Sequence, residues 1–211
     1  MGTKLKKGPA DQLTTCDNLI RSALKCDLRA QFQDDPETII LDELGVRHGA
    51  ARVDIVVVNG NLIGFELKSD RDDLRRLPKQ AQIFSGILDR VTLVVGHRHA
   101  DEAVQAVPCW WGVKLAEVGP DGRVRFIDLR EPSDNPSPDR LAIAKLLWRE
   151  EALAFLEEIG AAGGLRSKPR ATIYARLVEL VELDSLRAFV RSQFRRRKDW
   201  RLGEQRTSGG G

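Results

Sequence analysis

Apolar residues recur at helical spacing over residues 11–32, where Leu13, Ile20, Ala23, Leu24 and Leu28 mark one face and Asp11 is a natural cap. Asp34-Asp35-Pro36 ends that helix, and Thr38-Ile39-Ile40-Leu41 is short, β-branched and bounded by turn residues, which predicts a strand. The strongest pattern follows: Val53-Asp54-Ile55-Val56-Val57-Val58, then Asn59-Gly60-Asn61, then Leu62-Ile63-Gly64-Phe65-Glu66-Leu67-Lys68, a hairpin of two paired strands. Over 71–89, Leu74, Leu77, Ala81, Phe84, Ile87 and Leu88 return on a helical period, with Pro78 starting a helix or bending a longer one. Val91-Thr92-Leu93-Val94-Val95 is a strand-length apolar run ending at Gly96, suited to a strand buried on both faces. A helix at 100–106 and strands near 111–117 and 123–128 complete the order αβββαβαββ, which predicts an α/β fold with a mixed sheet at about 11–130.

Three prolines within Glu131-Pro132-Ser133-Asp134-Asn135-Pro136-Ser137-Pro138-Asp139 read as an extended linker, with the domain boundary at 131–138. Beyond it, helices at about 139–160, 169–183 and 184–198 predict an all-helical appendage over 139–200. Residues 201–211, ending in Thr207-Ser208-Gly209-Gly210-Gly211, read as a loose tail.

Hydrophobic residues at 42% with 31% charged exclude wholesale disorder, and no apolar run reaches the roughly 18 residues of a membrane span. The basic N-terminus has no apolar core of a secretory signal, so no membrane partner and a cytoplasmic location are expected. Cys16, Cys26 and Cys109 have neither metal-ligand spacing nor the pattern of a disulfide framework, and Cys109 reads as a packing residue. The net charge of +3 is unevenly placed: residues 165–211 carry 12 Lys/Arg against 5 Asp/Glu, while the rest is slightly acidic. A basic C-terminal part implies an anionic partner, DNA first, contacted by Lys168, Arg170 and the run Arg195-Arg196-Arg197-Lys198. Part of that run has a structural reading too, since cations complement the negative end of a helix. A homodimer or a protein partner is compatible with the sequence.

Asp54 is the one charge in its strand, and a carboxylate buried there costs several kcal/mol unless it is paired or binds a metal. Glu66 and Lys68, two residues apart, share one face of the next strand while Phe65 and Leu67 share the other. Asp54 and Glu66 stand opposite each other only if paired positions sum to 120, which requires the three-residue loop Asn59-Gly60-Asn61; a two-residue Asn59-Gly60 turn would put them on opposite faces. In the first register two carboxylates about 5 Å apart form a site for a hard divalent cation. Lys68 beside it would orient a water or neutralise charge on a phosphate, and Glu43, past the first strand, would complete the ligand shell. An exposed same-face ion pair would account for Glu66 and Lys68 alone, but not for Asp54 among apolar neighbours. His97 and His99 read as a polar loop or a metal pair, and Trp110-Trp111 as half core, half surface, with base stacking as the alternative.

An early acid, an Asp in one hairpin strand and Glu-x-Lys in the next, followed by an amphipathic helix and an apolar strand, resembles the PD-(D/E)XK nuclease superfamily. Glu43, Asp54, Glu66 and Lys68 match its motif. Gln80 and Phe84 resemble the Gln-x-x-x-Tyr signature of its RecB-like branch, with Phe in place of Tyr. The stretch from Glu43 through His48-Gly49, Arg52-Val53-Asp54, Glu66-Leu67-Lys68-Ser69-Asp70-Arg71 and Leu77-Pro78 to Trp110-Trp111-Gly112 is similar to a little-characterised bacterial and phage group within it. The resemblance implies a restriction-endonuclease-like fold and Mg2+- or Mn2+-dependent hydrolysis of DNA. Asp54, Glu66, the Leu67 backbone carbonyl and Glu43 would hold the metal, Lys68 would position the attacking water, and Gln80 would fix Lys68 or a phosphate. Some members of the superfamily are inactive, so a catalytically silent nucleic-acid-binding or regulatory module is the alternative. Leu165–Arg170 and the amphipathic helix after it loosely resemble SAP-like DNA-binding modules.

Overall fold

The structure, a computed structural model, describes residues 14–46 and 51–207, with side chains as far as Arg197. Leu13, the expected cap Asp11, the pair His48-Gly49, the side chain of Lys198 and the terminal Ser208-Gly209-Gly210-Gly211 lie outside the described residues. Along the described chain run α1 (Asp17–Gln31), β1 (Ile39–Val46), β2 (Ala51–Val58), β3 (Leu62–Lys68), α2 (Leu77–Ser85), β4 (Arg90–Gly96), a single 3-10 turn (His97–His99), α3 (Ala100–Ala106), β5 (Gly112–Val118), β6 (Val124–Arg130), α4 (Arg140–Ala144), α5 (Arg149–Glu158), α6 (Arg170–Leu180) and α7 (Leu183–Thr207). Through β6 this is the order αβββαβαββ.

The six strands form one sheet in sequence order. β1, β2 and β3 are antiparallel neighbours, β3, β4 and β5 are parallel, and β6 returns antiparallel to β5. The β2–β3 register pairs Ile55 with Phe65, Val57 with Ile63 and Val58 with Leu62, so paired positions sum to 120 and the loop is the three-residue one. Gly60 sits at φ 95° there, a conformation that costs a residue with a Cβ.

The sheet buries both faces. On one, Ile20, Leu24 and Leu28 of α1 pack against Ile55, Val57, Phe65, Leu67 and Val94. On the other, Val56, Val58, Leu62, Leu93 and Val95 join Leu77 and Phe84 of α2 in a cluster that continues through Ile143, Leu156, Ile173, Leu186 and Phe194 of the C-terminal helices. The C-terminal helices therefore share the core of the sheet, packed on the α2 side. The Pro-rich segment is pinned to that body: Asn135 donates from its backbone to the Asp89 carbonyl and from Nδ2 to the carbonyls of Ser85 and Leu88.

Expected helices differ in extent for local reasons: the first, expected over 11–32, is not helical at residues 14–16 and starts at Asp17, with the Thr15 amide and hydroxyl donating to Asp70. The 71–89 helix is confined to α2 because Pro78 lies in its first turn and the chain before it is held in turns, with Asp72 accepting from the Ser69 amide and hydroxyl. The 139–160 helix is two: Asp139 caps α4 by accepting from the amides of Leu141 and Ala142, and Lys145–Trp148 turn so that Leu146 and Leu147 enter the core. α7 is longer than expected, reaching Thr207.

Asp89, 7% exposed, ties α7 to the sheet. It accepts from the Leu62 amide at 2.7 Å and pairs with Arg187 at 2.8 Å and Arg191 at 3.9 Å. Asp89→Ala leaves two half-buried guanidinium groups and a buried amide without their acceptor, and is expected to destabilise the fold by about 3 kcal/mol. Urea unfolding checks this; a loss below about 1 kcal/mol would refute the clamp.

Candidate active site

Asp54 and Glu66 face one another across β2 and β3 one step beyond Ile55–Phe65, where the paired ladder stops and the strands part. The Asp54 carboxylate takes over from the ladder: its Oδ2 accepts from the Leu67 amide at 2.8 Å. Glu66 and Lys68 alternate with Phe65 and Leu67, so the apolar pair enters the core beneath α1 while the charged pair lies toward α2. Lys68 Nζ donates to Glu66 Oε1 at 2.5 Å, and Gln80 Nε2, reaching down from α2, donates to the same oxygen at 2.5 Å. Gln80 thus fixes Glu66 itself. Four of the expected residues, Asp54, Glu66, Lys68 and Gln80, line one cleft of about 350 Å3 together with Leu67.

Glu66 is 1% exposed and Lys68 5%. Burial pushes the Glu66 carboxyl up, and the neighbouring Asp54 charge pushes it further, against Lys68 and Gln80, which favour the anion; it comes to about 7. Glu66 Oε2 is buried with no hydrogen-bond partner, and so is Gln80 Oε1. Buried oxygens are nearly always satisfied, so an orphan carboxylate oxygen beside a second carboxylate fits a cation bound there. Among the described residues no three His, Cys, Asp or Glu side chains cluster, so the protein's donors would be Asp54, Glu66 and the Leu67 carbonyl, with waters filling the shell.

Glu43 is not brought to this cleft. It adopts φ 53° and pairs with Arg52 at 3.1 Å, its side chain half exposed and lining a separate hollow along the sheet edge. Opposite Asp54, Glu43 is missing from the β1–β2 pairing while its neighbours Asp42 and Leu44 keep the register, and its side chain goes to Arg52. Phe84 is core, stacked on Trp111 with ring centroids 6.3 Å apart. Trp110 and Trp111 are both buried, which removes them as base-stacking platforms. His99 is buried and its Nε2 donates to the Asp72 carbonyl, whereas His97 is exposed, so the two do not converge. Cys109 is exposed rather than packed.

The basic positions divide. Arg197 is consumed internally, bonding Glu151 through Nε at 2.8 Å and the Leu146 carbonyl at 3.0 Å, with its guanidinium 4.3 Å above the Trp148 ring. Arg195 reaches the Glu37 carbonyl at 3.0 Å. Lys168, Arg170 and Arg196 are exposed.

Two sets of residues at the cleft carry no sequence signal of their own. Arg21 of α1 donates to Asp54 Oδ1 at 2.9 Å and to the Asp54 carbonyl at 3.0 Å, while also bonding Asp17. Burial disfavours its charge, but the two carboxylates outweigh burial and hold its pKa above the ordinary range. Asp17 and Arg21, four apart on a helix, read in sequence as a solvated surface pair. Arg52, Arg76 and Lys79 line the cleft alongside Asp17 and Asp72. Arg52 is paired with Glu43, Arg76 and Lys79 make no ion pair among the described residues, and only placement by the hairpin and α2 brings these cations together.

The family model described as bacteriophage P4 protein cII matches residues 16–203. Protein cII of Enterobacteria phage P4 is 35% identical over 77 residues, which make up 36% of this chain and 29% of that protein, so the match spans under a third of the relative's length. A solved structure, a protein of unknown function from Silicibacter pomeroyi, is 18% identical with a TM-score of 0.40, over 78% of this chain and 100% of that one. Since the matched span runs from the start of α1 into the last turns of α7, the chain belongs to the family of bacteriophage P4 protein cII.

Proposed function

We propose that this chain is a divalent-metal-dependent nuclease acting on DNA, with a restriction-endonuclease-like fold of the PD-(D/E)XK kind. The observation that carries the reading is the Glu66 carboxylate, buried beside Asp54 with one oxygen unpartnered, at the floor of an open cleft rimmed by Arg52, Arg76 and Lys79. The order of elements and the register of the β2–β3 hairpin support the finer fold assignment.

Asp54, Glu66 and the Leu67 carbonyl would hold Mg2+ or Mn2+, which when bound supplies Lewis-acid stabilisation of the phosphate and a more acidic water. Arg21 and the Leu67 amide hold the Asp54 carboxylate in place from opposite sides, which keeps its orientation fixed as substrate enters. Lys68, anchored by Glu66 Oε1, keeps donors to spare for the attacking water or for the charge that grows on the phosphate. Gln80 holds Glu66 in a single rotamer. The rim cations meet the flanking phosphates, contacts that position DNA without reading its sequence.

With labelled single-stranded, duplex and branched DNA and Mg2+ or Mn2+, the wild type is expected to cleave, and Asp54→Ala and Lys68→Ala each to lose about 100-fold or more of that activity while still binding DNA. Binding without cleavage in the wild type would replace this reading with a catalytically silent nucleic-acid-binding or regulatory module of the same fold.

The proton competes with the metal at Glu66. Its carboxyl is at about 7 in the fold against the ordinary 4.5, a raised acid. Its contribution to stability is fully present below about 4.5 and declines as pH rises through about 7, because the fold must ionise a group the unfolded chain ionises easily. In chelator the thermal midpoint should therefore be lower at pH 8 than at pH 5.5, and Glu66→Gln should flatten the difference. Added Mg2+ should raise the midpoint more at pH 8 than at pH 5.5. A chelator midpoint that does not change across this range would refute the assignment of Glu66 as a protonated buried acid.

A further inference from the structure

We infer that the pocket beside Trp148 holds an unpaired nucleotide of the bound DNA, with its base stacked on the Trp148 ring and its phosphate on Lys145 and Arg170. The inference rests on the nuclease reading and names the substrate class, DNA with a single-stranded segment next to the cut.

Trp148 caps α5 and is 52% exposed, the most exposed of the large hydrophobic side chains among the described residues. It is not loose. Its amide donates to Glu151 Oε2 at 2.7 Å, and Glu151 also grips Arg197, whose guanidinium lies 4.3 Å from the Trp148 ring centroid and 5.1 Å from that of Phe194. A ring backed on one side by a fixed guanidinium and still half exposed presents its other side and edge to solvent as a flat, rigid platform. Nucleobases of any sequence stack on such a platform.

The pocket it borders is about 230 Å3, below the roughly 300–1,000 Å3 of sites that enclose drug-sized ligands, so it has room for the base while sugar and phosphate stay at its rim. Its walls carry Lys145, Arg149 and Arg170. Arg149 is spent on the Arg166 and Lys168 carbonyls, but Lys145 and Arg170 are exposed and make no ion pair among the described residues. Glu150, 78% exposed at the side chain, is the opposing acid that remains, since Glu151 is neutralised by Arg197. An exposed ring between uncommitted cations matches the two faces of a nucleotide, the base and the phosphate.

Position joins this pocket to the cleft. Gly45 and Val46 line the pocket, while Arg52 and Ala51, their cross-strand partners in β1 and β2, line the cleft of Asp54 and Glu66. Partners in an antiparallel pair lie about 5 Å apart, so the two hollows back onto the same end of one hairpin. The hollow along β1 that also touches Trp148 is lined by Asp42 and Glu43, each already ion-paired, and by Arg197, held by Glu151, so it offers a phosphate no uncommitted cation. A strand leaving the cleft past Arg52 is thus drawn toward Lys145 and Arg170.

The test is fluorescence-polarisation binding in chelator, comparing a blunt duplex with the same duplex bearing a short thymidine overhang. Wild type is expected to bind the overhang about tenfold more tightly, with Trp148→Ala erasing that preference and Trp148→Phe keeping much of it. Lys145→Ala/Arg170→Ala, which changes two exposed side chains, should weaken overhang binding more than blunt binding and make it less salt-dependent. Equal affinity of the wild type for the two duplexes, or a preference that survives both Trp148→Ala and the double variant, overturns the inference. Because cleavage is not read, these outcomes are separate from loss of cleavage in Asp54→Ala, which tests the nuclease reading.

Discussion

The arrangement depends on burying a glutamate and a lysine, beside a partly buried aspartate, in a sheet covered on both faces. Transferring Glu66 and Lys68 out of water is unfavourable by several kcal/mol per ion, and their mutual attraction recovers this only with good geometry. The β2–β3 register supplies that geometry. With Asn59-Gly60-Asn61 as a three-residue loop, Glu66 and Lys68 point toward α2, where Gln80 waits, and Phe65 and Leu67 point into the apolar layer beneath α1. A slip of one residue would exchange the two sets, placing the charges in the core and exposing Phe65 and Leu67. Apolar packing beneath α1 and polar satisfaction toward α2 therefore favour the same register.

The C-terminal helices use their positive charge in two ways. Arg187 and Arg191 close on Asp89, and Arg197 closes on Glu151, so the basic residues on the inner face of α7 act as anchors to buried acids. Arg195 reaches across to the backbone near β1. The charge left to face solvent, at Lys168, Arg170 and Arg196, is smaller than the composition of residues 165–211 suggests. A sequence count treats all cations alike, whereas in the fold an arginine beside a buried carboxylate is no longer available to a phosphate.

Much of this was legible because one-dimensional patterns control it. Period-two and period-3.6 spacing located the strands and the helices of the sheet, and the parity of a hairpin tied Asp54 to Glu66. What escaped were features set by three-dimensional encounter. Glu43 has the place of a third acid in the order of elements, but at a left-handed φ its side chain pairs with Arg52 instead. The break between α4 and α5 arises from the burial of Leu146 and Leu147, which a helical reading of 139–160 does not contain. Arg21 and Asp17 form an ordinary i, i+4 pair in sequence, and only the packing of α1 on the sheet brings them to Asp54.

That packing bears on the charge balance of the cleft. Three carboxylates, Asp17, Asp54 and Glu66, meet two cations, Arg21 and Lys68, so the side chains of the site leave about one negative charge uncompensated. The balance is uneven in space. Arg21 approaches Asp54 Oδ1 from the α1 side and Lys68 approaches Glu66 Oε1, leaving Glu66 Oε2 buried without a hydrogen-bond partner. A divalent ion there would make the floor of the cleft net positive beneath a rim that already carries Arg52, Arg76 and Lys79. Field lines in such a low-dielectric cleft concentrate on a polyanion, so occupancy by the ion and attraction of a phosphodiester backbone would reinforce one another.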